Sequence, residues 1–146
     1  MSLAEYNTII PGLILGSIDG LYSKALTKNE QLDAVISVTP LDETLIPGKY
    51  KHCNSRYPIS FKMPTDEIVQ IVKTVADKLD DLMKSKENGK NIYIHCYEGV
   101  SRSAVCVMYY LVKYHGYTKQ AAFDFVKKQR PNVSPNDVMM KVYECL

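Results

Sequence analysis

The sequence lacks the features that mark membrane-spanning or secreted proteins. Its longest apolar run, Ala104–Val112, is nine residues long, whereas a transmembrane helix needs roughly 20. The chain does not open with a basic segment followed by an apolar stretch, so we predict no secretory signal. Basic residues exceed acidic residues by only two, 18 against 16. Such a small net charge favours neither a nucleic acid nor a membrane as partner.

Potential metal ligands are few and scattered. Four cysteines occur at positions 53, 96, 106 and 145, with no CxxC pair, and three histidines at 52, 95 and 115. A structural zinc site needs clustered ligands, so we predict no metal and no other cofactor. Few cysteines without a secretory signal indicate a reducing compartment with free thiols. We therefore expect a cytoplasmic protein, with the nucleus as the alternative compartment.

The length of 146 residues predicts a single domain over residues 1–146. Strands alternate with helices along the chain, which predicts an α/β fold with a central, mostly parallel sheet of about four or five strands flanked by helices. We expect strands at Leu13–Leu15, Asp33–Thr39, Arg56–Ser60 and Asn91–His95. We expect helices at 18–31, 66–83, 103–114 and 118–129, and a last one that begins with Ser134 as its N-cap.

The segment HCYEGVSRS, His95–Ser103, places a cysteine after a predicted strand and an arginine at the start of a predicted helix. The loop residues between them are Tyr97, Glu98, Gly99, Val100 and Ser101. Their backbone N–H groups would point inward and, with the positive helix end, bind an anion. Gly99 permits backbone angles closed to other residues, and Arg102 can bind two phosphate oxygens at once. The segment therefore predicts a site for phosphate, which a phosphate or sulfate ion would occupy.

The same positive environment acts on the sulfur of Cys96. A cysteine at a helix N-terminus beside an arginine has a lowered pKa and is a thiolate at neutral pH. A thiolate beneath a bound phosphate is placed for in-line attack on phosphorus. His95 would support the loop through its ring, and the Ser103 hydroxyl would hydrogen-bond the sulfur. These residues predict an enzyme that uses the Cys96 thiolate as its nucleophile.

The segment HCYEGVSRS resembles the HCxxGxxR(S/T) motif of cysteine-based protein phosphatases, and its SRS ending is most similar to the dual-specificity branch. Pro11–Ser17, Asp33–Thr39 and the region from Ala121 to Asn136 extend the resemblance over nearly the whole chain. It implies the cysteine-based phosphatase fold, as a catalytic domain alone. It also implies hydrolysis of phosphotyrosine and phosphoserine or phosphothreonine through a phosphocysteine on Cys96, without a metal. The expected partner is a phosphoprotein substrate, and we expect a monomer.

The family's general acid is not obvious in this chain. The resemblance implies an aspartate roughly thirty residues before the cysteine, which protonates the leaving group and then activates water. Alignment on Pro64 puts Lys62 at that position, whereas counting back from Cys96 favours Asp66. Asp66 is therefore the candidate acid. The alternative is that Thr65 caps a helix whose first turn carries Asp66 because the helix dipole favours acids there.

Two other functions stay open. A phosphoinositide or RNA 5′-phosphatase would share the scaffold, but such polyanionic substrates need added cations, and the variable loop positions supply an acid and no base. Without an acid the chain would be a slow phosphatase or a non-catalytic binder of phosphorylated residues, although a binder has no need of a thiolate. Of the other thiols, Cys106 is expected in the core, and Cys53 is either inert or a resolving partner for Cys96.

Overall fold

The computed structural model of the protein describes residues 4–146, and of Glu43 the backbone alone. It has a central sheet of five strands in the order β1-β2-β5-β3-β4. The strands are β1 (Tyr6–Ile10), β2 (Leu13–Gly16), β3 (Gln31–Ser37), β4 (Asn54–Arg56) and β5 (Lys90–His95). Strand β1 is antiparallel to β2, and the other neighbours are parallel. This confirms the predicted mostly parallel α/β sheet.

The helices are α1 (Lys24–Asn29), α2 (Thr65–Ser85), α3 (Arg102–His115), α4 (Lys119–Gln129) and α5 (Asp137–Glu144). The four longer ones pack together on one face of the sheet, against side chains such as Leu13, Ile36 and Ile94. Alternate strand residues, including Ile14 and Tyr93, face the opposite side, where α1 and short 3-10 segments cover them. Because β-strand side chains alternate between faces, one sheet supports two separate hydrophobic clusters.

The central position of β5 determines where the chemistry lies. This strand is buried at five of its six residues and pairs with β2 on one side and β3 on the other. At its last residue, His95 is in register with Gly16 of β2 and Ser37 of β3. The carboxyl ends of three parallel strands therefore lie side by side, and the chain that leaves β5 starts from the middle of that edge.

Several boundaries differ from the expectations. Strand β1 was not predicted, and a 3-10 turn at Asp19–Tyr22 followed by the short α1 replaces the single helix expected over 18–31. A β-region residue at Ser23 separates the two pieces, and its side chain caps α1 by accepting a hydrogen bond from Leu26 N–H. Strand β4 ends at Arg56, where the expected strand begins, although the N–H groups of Tyr57 and Ile59 still donate to the carbonyls of Ser37 and Val38.

Two predicted helix caps are wrong. Asn136, not Ser134, caps α5, because its side chain accepts a hydrogen bond from the Met139 N–H at 3.0 Å. Helix α2 already includes Thr65 as its first residue, and Pro64 stands in the cap position without a side-chain bond. Among the described residues 4–146, no helix is long and apolar enough to cross a membrane.

Candidate active site

Cys96 directly follows β5, and α3 begins six residues later at Arg102. The loop between them turns sharply at Gly99, which has a φ of +71°. A Cβ atom at Gly99 would overlap the backbone carbonyl of Gly16. Glycine is therefore required both for the backbone angle and for the close approach to β2.

Every carbonyl oxygen from Cys96 to Val100 accepts a hydrogen bond from a group outside the loop's pocket. The donors are the His95 ring for Cys96, the Ile18 N–H for Tyr97, the Arg130 guanidinium for Glu98 and Gly99, and the Ser134 N–H for Val100. Because each peptide unit carries its N–H opposite its carbonyl, this arrangement turns successive N–H groups toward the pocket. An anion site requires inward N–H groups of this kind, and phosphate binding by the loop stays a prediction from the sequence.

Arg130 makes the largest single contribution to this arrangement. Its side chain is buried, and its Nε and Nη2 atoms donate to the carbonyls of Gly99 and Glu98, both at 2.9 Å. The Nη1 atom donates to the carbonyl of Ala4 and to Asn7 Oδ1, both at 2.8 Å. One guanidinium therefore ties the loop to the N-terminal strand. Arg130 lies outside the HCYEGVSRS segment, and from the sequence we expect it only to be a structural arginine before Pro131; its contact with the loop appears in the structure.

The sulfur of Cys96 lies 3.1 Å from the hydroxyl oxygen of Ser103. Burial alone would raise the pKa of this thiol, but hydrogen bonds from the Ser103 hydroxyl and from the N–H groups of Ser103 and Gly99, with the charge of Arg102, lower it below its ordinary value. The residues predicted to surround the sulfur are therefore brought together around it. Such a lowered pKa increases the thiolate fraction at neutral pH.

His95 is buried at the carboxyl end of β5, where its ring contacts both the loop and β3. Its Nδ1 donates to the Cys96 carbonyl at 2.9 Å, and its Nε2 accepts from the Ser37 hydroxyl at 2.6 Å, whose oxygen in turn accepts from the Asn54 amide at 3.0 Å. Burial lowers the pKa of His95 to about 4. The imidazole is thus neutral at pH 7 and acts in the structure as a hydrogen-bonded support, as the sequence predicts.

The Arg102 guanidinium is held in place by contacts with the segment that precedes α2. Its Nη1 donates to the carbonyl of Ile59 at 3.0 Å, and the ring of Phe61 lies 4.6 Å from the guanidinium carbon. The Nε atom is buried and has no partner in the protein. An unpartnered buried donor is uncommon in folded proteins, and here it belongs to the side chain that the sequence assigns to phosphate.

A cavity of about 320 Å³ opens above Cys96. Its walls include predicted site residues from the loop, together with three that the sequence did not indicate: Phe61, Ser134 and Asn136. The last two come from the segment before α5, where the Asn136 N–H donates to the Ser101 hydroxyl at 3.0 Å. Only the packing of α5 against the rest of the domain reveals this wall, and no local motif could have done so.

Asp66, the candidate acid, occupies the first turn of α2 and is exposed. It lines a different cavity, together with Lys141 and Cys145. The structure thus does not bring Asp66 among the residues that line the pocket above Cys96. Lys62, at the alternative position, is exposed and is also absent from that lining. The general-acid role of Asp66 therefore stays a prediction from the sequence.

The remaining thiols are separated from the pocket by packing. Cys106 is fully buried within α3, and burial raises its pKa, in agreement with the expected core position. Cys53 is half-buried in the hydrophobic cluster on the α1 side of the sheet, while Cys96 belongs to the cluster on the opposite side. The structure does not bring Cys53 to the nucleophile.

The model of the dual specificity phosphatase catalytic domain matches residues 13–145. The chain belongs to this family. Human protein phosphatase Slingshot homolog 2 is 28% identical over 117 residues, covering 80% of this chain and 8% of that protein. Arabidopsis thaliana dual specificity protein phosphatase 1 is 28% identical over 136 residues, covering 86% of this chain and 60% of the relative. The chain thus spans less than two thirds of these relatives.

Solved structures agree on the fold. The crystal structure of human DUSP28 superposes with a TM-score of 0.80 at 19% identity, covering 99% of this chain and 93% of that one. The contacts described above show how this particular chain maintains the loop from Cys96 to Arg102 after the central strand.

Replacement of Ser103 by alanine removes one hydrogen bond to the Cys96 sulfur. We expect the pKa of the thiol to rise, so that alkylation by iodoacetamide begins at higher pH. The loss of one such bond should also slow a step in which the sulfur departs by up to about 10-fold. The pH dependence of the alkylation rate measures the first effect, with Cys96→Ser identifying the labelled thiol. An unchanged inflection would contradict the role given to Ser103.

Replacement of Arg130 by lysine leaves a single ammonium where four hydrogen bonds were made from three nitrogens. We expect the loop to relax, with kcat/KM falling about 100-fold, as for a misplacement of catalytic groups by about 1 Å. Alkylation of Cys96 should also begin at higher pH. Lys128→Met, which removes an exposed cation two residues away near the end of α4, is the control and should change neither. A stability loss with normal alkylation would mean that Arg130 supports only the fold.

Proposed function

We propose that this protein is a protein phosphatase that hydrolyses phosphate esters of protein side chains through a phosphocysteine on Cys96. The observation that carries the proposal is a buried thiol of lowered pKa at the base of a loop whose carbonyls all face away from the pocket. The family membership supports the same reaction. That the whole protein acts on phosphoproteins is likewise a proposal, because the chain spans only part of its relatives' length.

The reaction follows from the positions of the groups. The phosphate binds to the N–H groups of Tyr97–Arg102 and to Nε of Arg102, which places phosphorus above the sulfur. The thiolate attacks phosphorus as the bond to the leaving oxygen breaks, and the electron pair goes to that oxygen. Water then attacks the phosphocysteine, and the sulfur departs as a thiolate stabilised by the Ser103 hydroxyl. The leaving oxygen takes up a proton from solvent, and the products are the free side chain and inorganic phosphate.

Two alternatives fit the pocket less well. Phosphoinositides and RNA 5′ ends are polyanions that need several cations, whereas within residues 4–146 the cavity lining includes one lysine or arginine, Arg102. A non-catalytic binder of phosphorylated residues would gain nothing from a thiol with a lowered pKa. A phosphoprotein substrate is therefore the better interpretation. The cytoplasmic location and the monomeric state stay predictions from the sequence.

Removal of the nucleophile tests the proposal directly. We expect Cys96→Ser to reduce turnover of an activated aryl phosphate by about 10⁴-fold or more, while inorganic phosphate still binds in a calorimetric titration. Arg102→Lys should lower kcat/KM by about 100- to 1000-fold, because an ammonium cannot replace the planar fork. Arg56→Lys, an exposed arginine outside the pocket lining, is the matched control. Turnover in Cys96→Ser equal to that of the natural protein would refute the proposal.

The position of Asp66 leads to a second expectation. Because Asp66 lies in the first turn of α2 and lines another cavity, Asp66→Asn should keep kcat/KM within about threefold, as is usual for surface substitutions. A general acid would instead lose about 100- to 10,000-fold together with the basic limb of the pH–rate profile. The profile measured on a phosphotyrosine peptide decides between the helix-terminus and the acid interpretations of this residue.

A further inference from the structure

We propose that the pocket selects phosphotyrosine over phosphoserine and phosphothreonine, through an aromatic mouth and the absence of a positioned acid. This inference rests on the proposed function, because it specifies which phosphorylated side chain the same site accepts. It depends on the residues that line the cavity above Cys96 and on the chemistry that each of them offers.

Two aromatic side chains form part of the cavity wall. Phe61 is 39% exposed and Tyr97 is 49% exposed, values that leave much of each ring open to a ligand. Large exposed aromatics are otherwise few in the described residues, and here two lie at one cavity. Phe61 also lies against the guanidinium of Arg102. A substrate whose phosphate binds Arg102 therefore brings its next atoms close to this ring.

The leaving group supplies the second argument. Apart from the exposed Glu98, no aspartate or glutamate lines the cavity in the part of the chain that the structure describes, and Asp66 lines another one. Without a positioned proton donor, the leaving oxygen must depart as an anion. A tyrosine phenol has a pKa of about 10. An aliphatic alcohol ionises about as reluctantly as water, whose pKa is about 15.7.

The step balances without any further reactant. The Cys96 thiolate forms the sulfur–phosphorus bond, and the phosphorus–oxygen bond to tyrosine breaks with its electron pair on the phenolic oxygen. The phenolate then takes a proton from water. The same step on phosphoserine would release an alkoxide, and the absence of an acid removes the about 100- to 10,000-fold assistance that such a group gives.

The first test compares three peptides of one sequence that carry phosphotyrosine, phosphothreonine or phosphoserine at the same position. We expect kcat/KM for phosphotyrosine to exceed the other two by at least about 100-fold, the lower end of what a general acid contributes. Similar values for all three peptides would overturn the selectivity while leaving the phosphatase proposal intact. Absence of any Cys96-dependent hydrolysis would instead overturn the proposed function.

The second test separates the aromatic mouth from the leaving-group effect. Phe61→Leu keeps an apolar side chain but removes the ring, so KM for the phosphotyrosine peptide should rise about 2- to 12-fold more than KM for the phosphothreonine peptide, which depends on Phe61 only through its contact with Arg102. Phe61→Tyr keeps an aromatic ring at this position and should therefore retain the low KM of the natural protein. Tyr114→Leu is the control, because this exposed tyrosine lies on α3 about 18 Å beyond Arg102. Equal changes in KM for both peptides would exclude recognition of the substrate ring.

The third test measures the missing acid. For a series of aryl phosphates, kcat/KM should fall steeply as the pKa of the phenol rises, because the leaving oxygen carries its full charge. A flat dependence would show that a proton donor acts, and would overturn this part of the inference. If Glu98→Gln converts a flat dependence into a steep one, that donor is Glu98. If Asp66→Asn does so, the donor is Asp66.

Discussion

The structure of the site depends on the hydrogen bonds that hold five loop carbonyls away from the pocket. A peptide loop can present either its N–H groups or its carbonyls to a ligand, and only the first choice binds an anion. Because an unpaired buried carbonyl is destabilising, each outward carbonyl needs a donor behind it. The protein draws these donors from three parts of the chain: Ile18, His95 beside the loop, and the segment between α4 and α5 that carries Arg130 and Ser134. The anion site is therefore a property of the whole domain.

This dependence explains several features that otherwise look unrelated. Strand β1 lies at the edge of the sheet. The residues before it are nevertheless linked to the loop, because Arg130 donates to the carbonyls of both Ala4 and Gly99. Tyr93 is buried beneath the same region and donates to the Ser17 carbonyl at 2.7 Å. Burial raises its pKa far above the ordinary value, so that it remains a neutral donor. The edge of the sheet thus supports the centre through a small number of buried polar contacts.

The nucleophile loop could be predicted from the sequence because its determinants are local. Strand β5, the loop and the start of α3 are contiguous, and the glycine and arginine have fixed spacing from the cysteine. The buried side of α2 could be predicted as well, because its apolar residues recur with a period of 3.6 residues along one side of the helix. The apolar pattern also indicated the core position of Cys106.

The rest of the site depends on long-range contacts that no local pattern contains. Arg130 reaches the loop from 31 residues away in the chain, and Phe61 meets the Arg102 guanidinium beside the Ile59 carbonyl, which accepts a hydrogen bond from it. Strand β1 escaped prediction because an edge strand with one partner carries a weak alternation, visible here as a single buried residue among five. The caps at Ser134 and Thr65 were misplaced by one or two residues, which is the usual uncertainty of helix ends.

The loop from Ile59 to Pro64 connects these observations to the chemistry. Its backbone fixes Arg102 through the Ile59 carbonyl, and its exposed Phe61 forms one wall of the pocket. Neither position that the resemblance offers for an acid contributes a side chain to the pocket lining, because Lys62 is exposed outside it and Asp66 lines another cavity. The segment therefore contributes to binding and orientation but supplies no acid. The first step then depends on how readily the leaving oxygen departs as an anion. A phenol meets that requirement far better than an alcohol, so the same loop that orients the phosphate also restricts which ester can react.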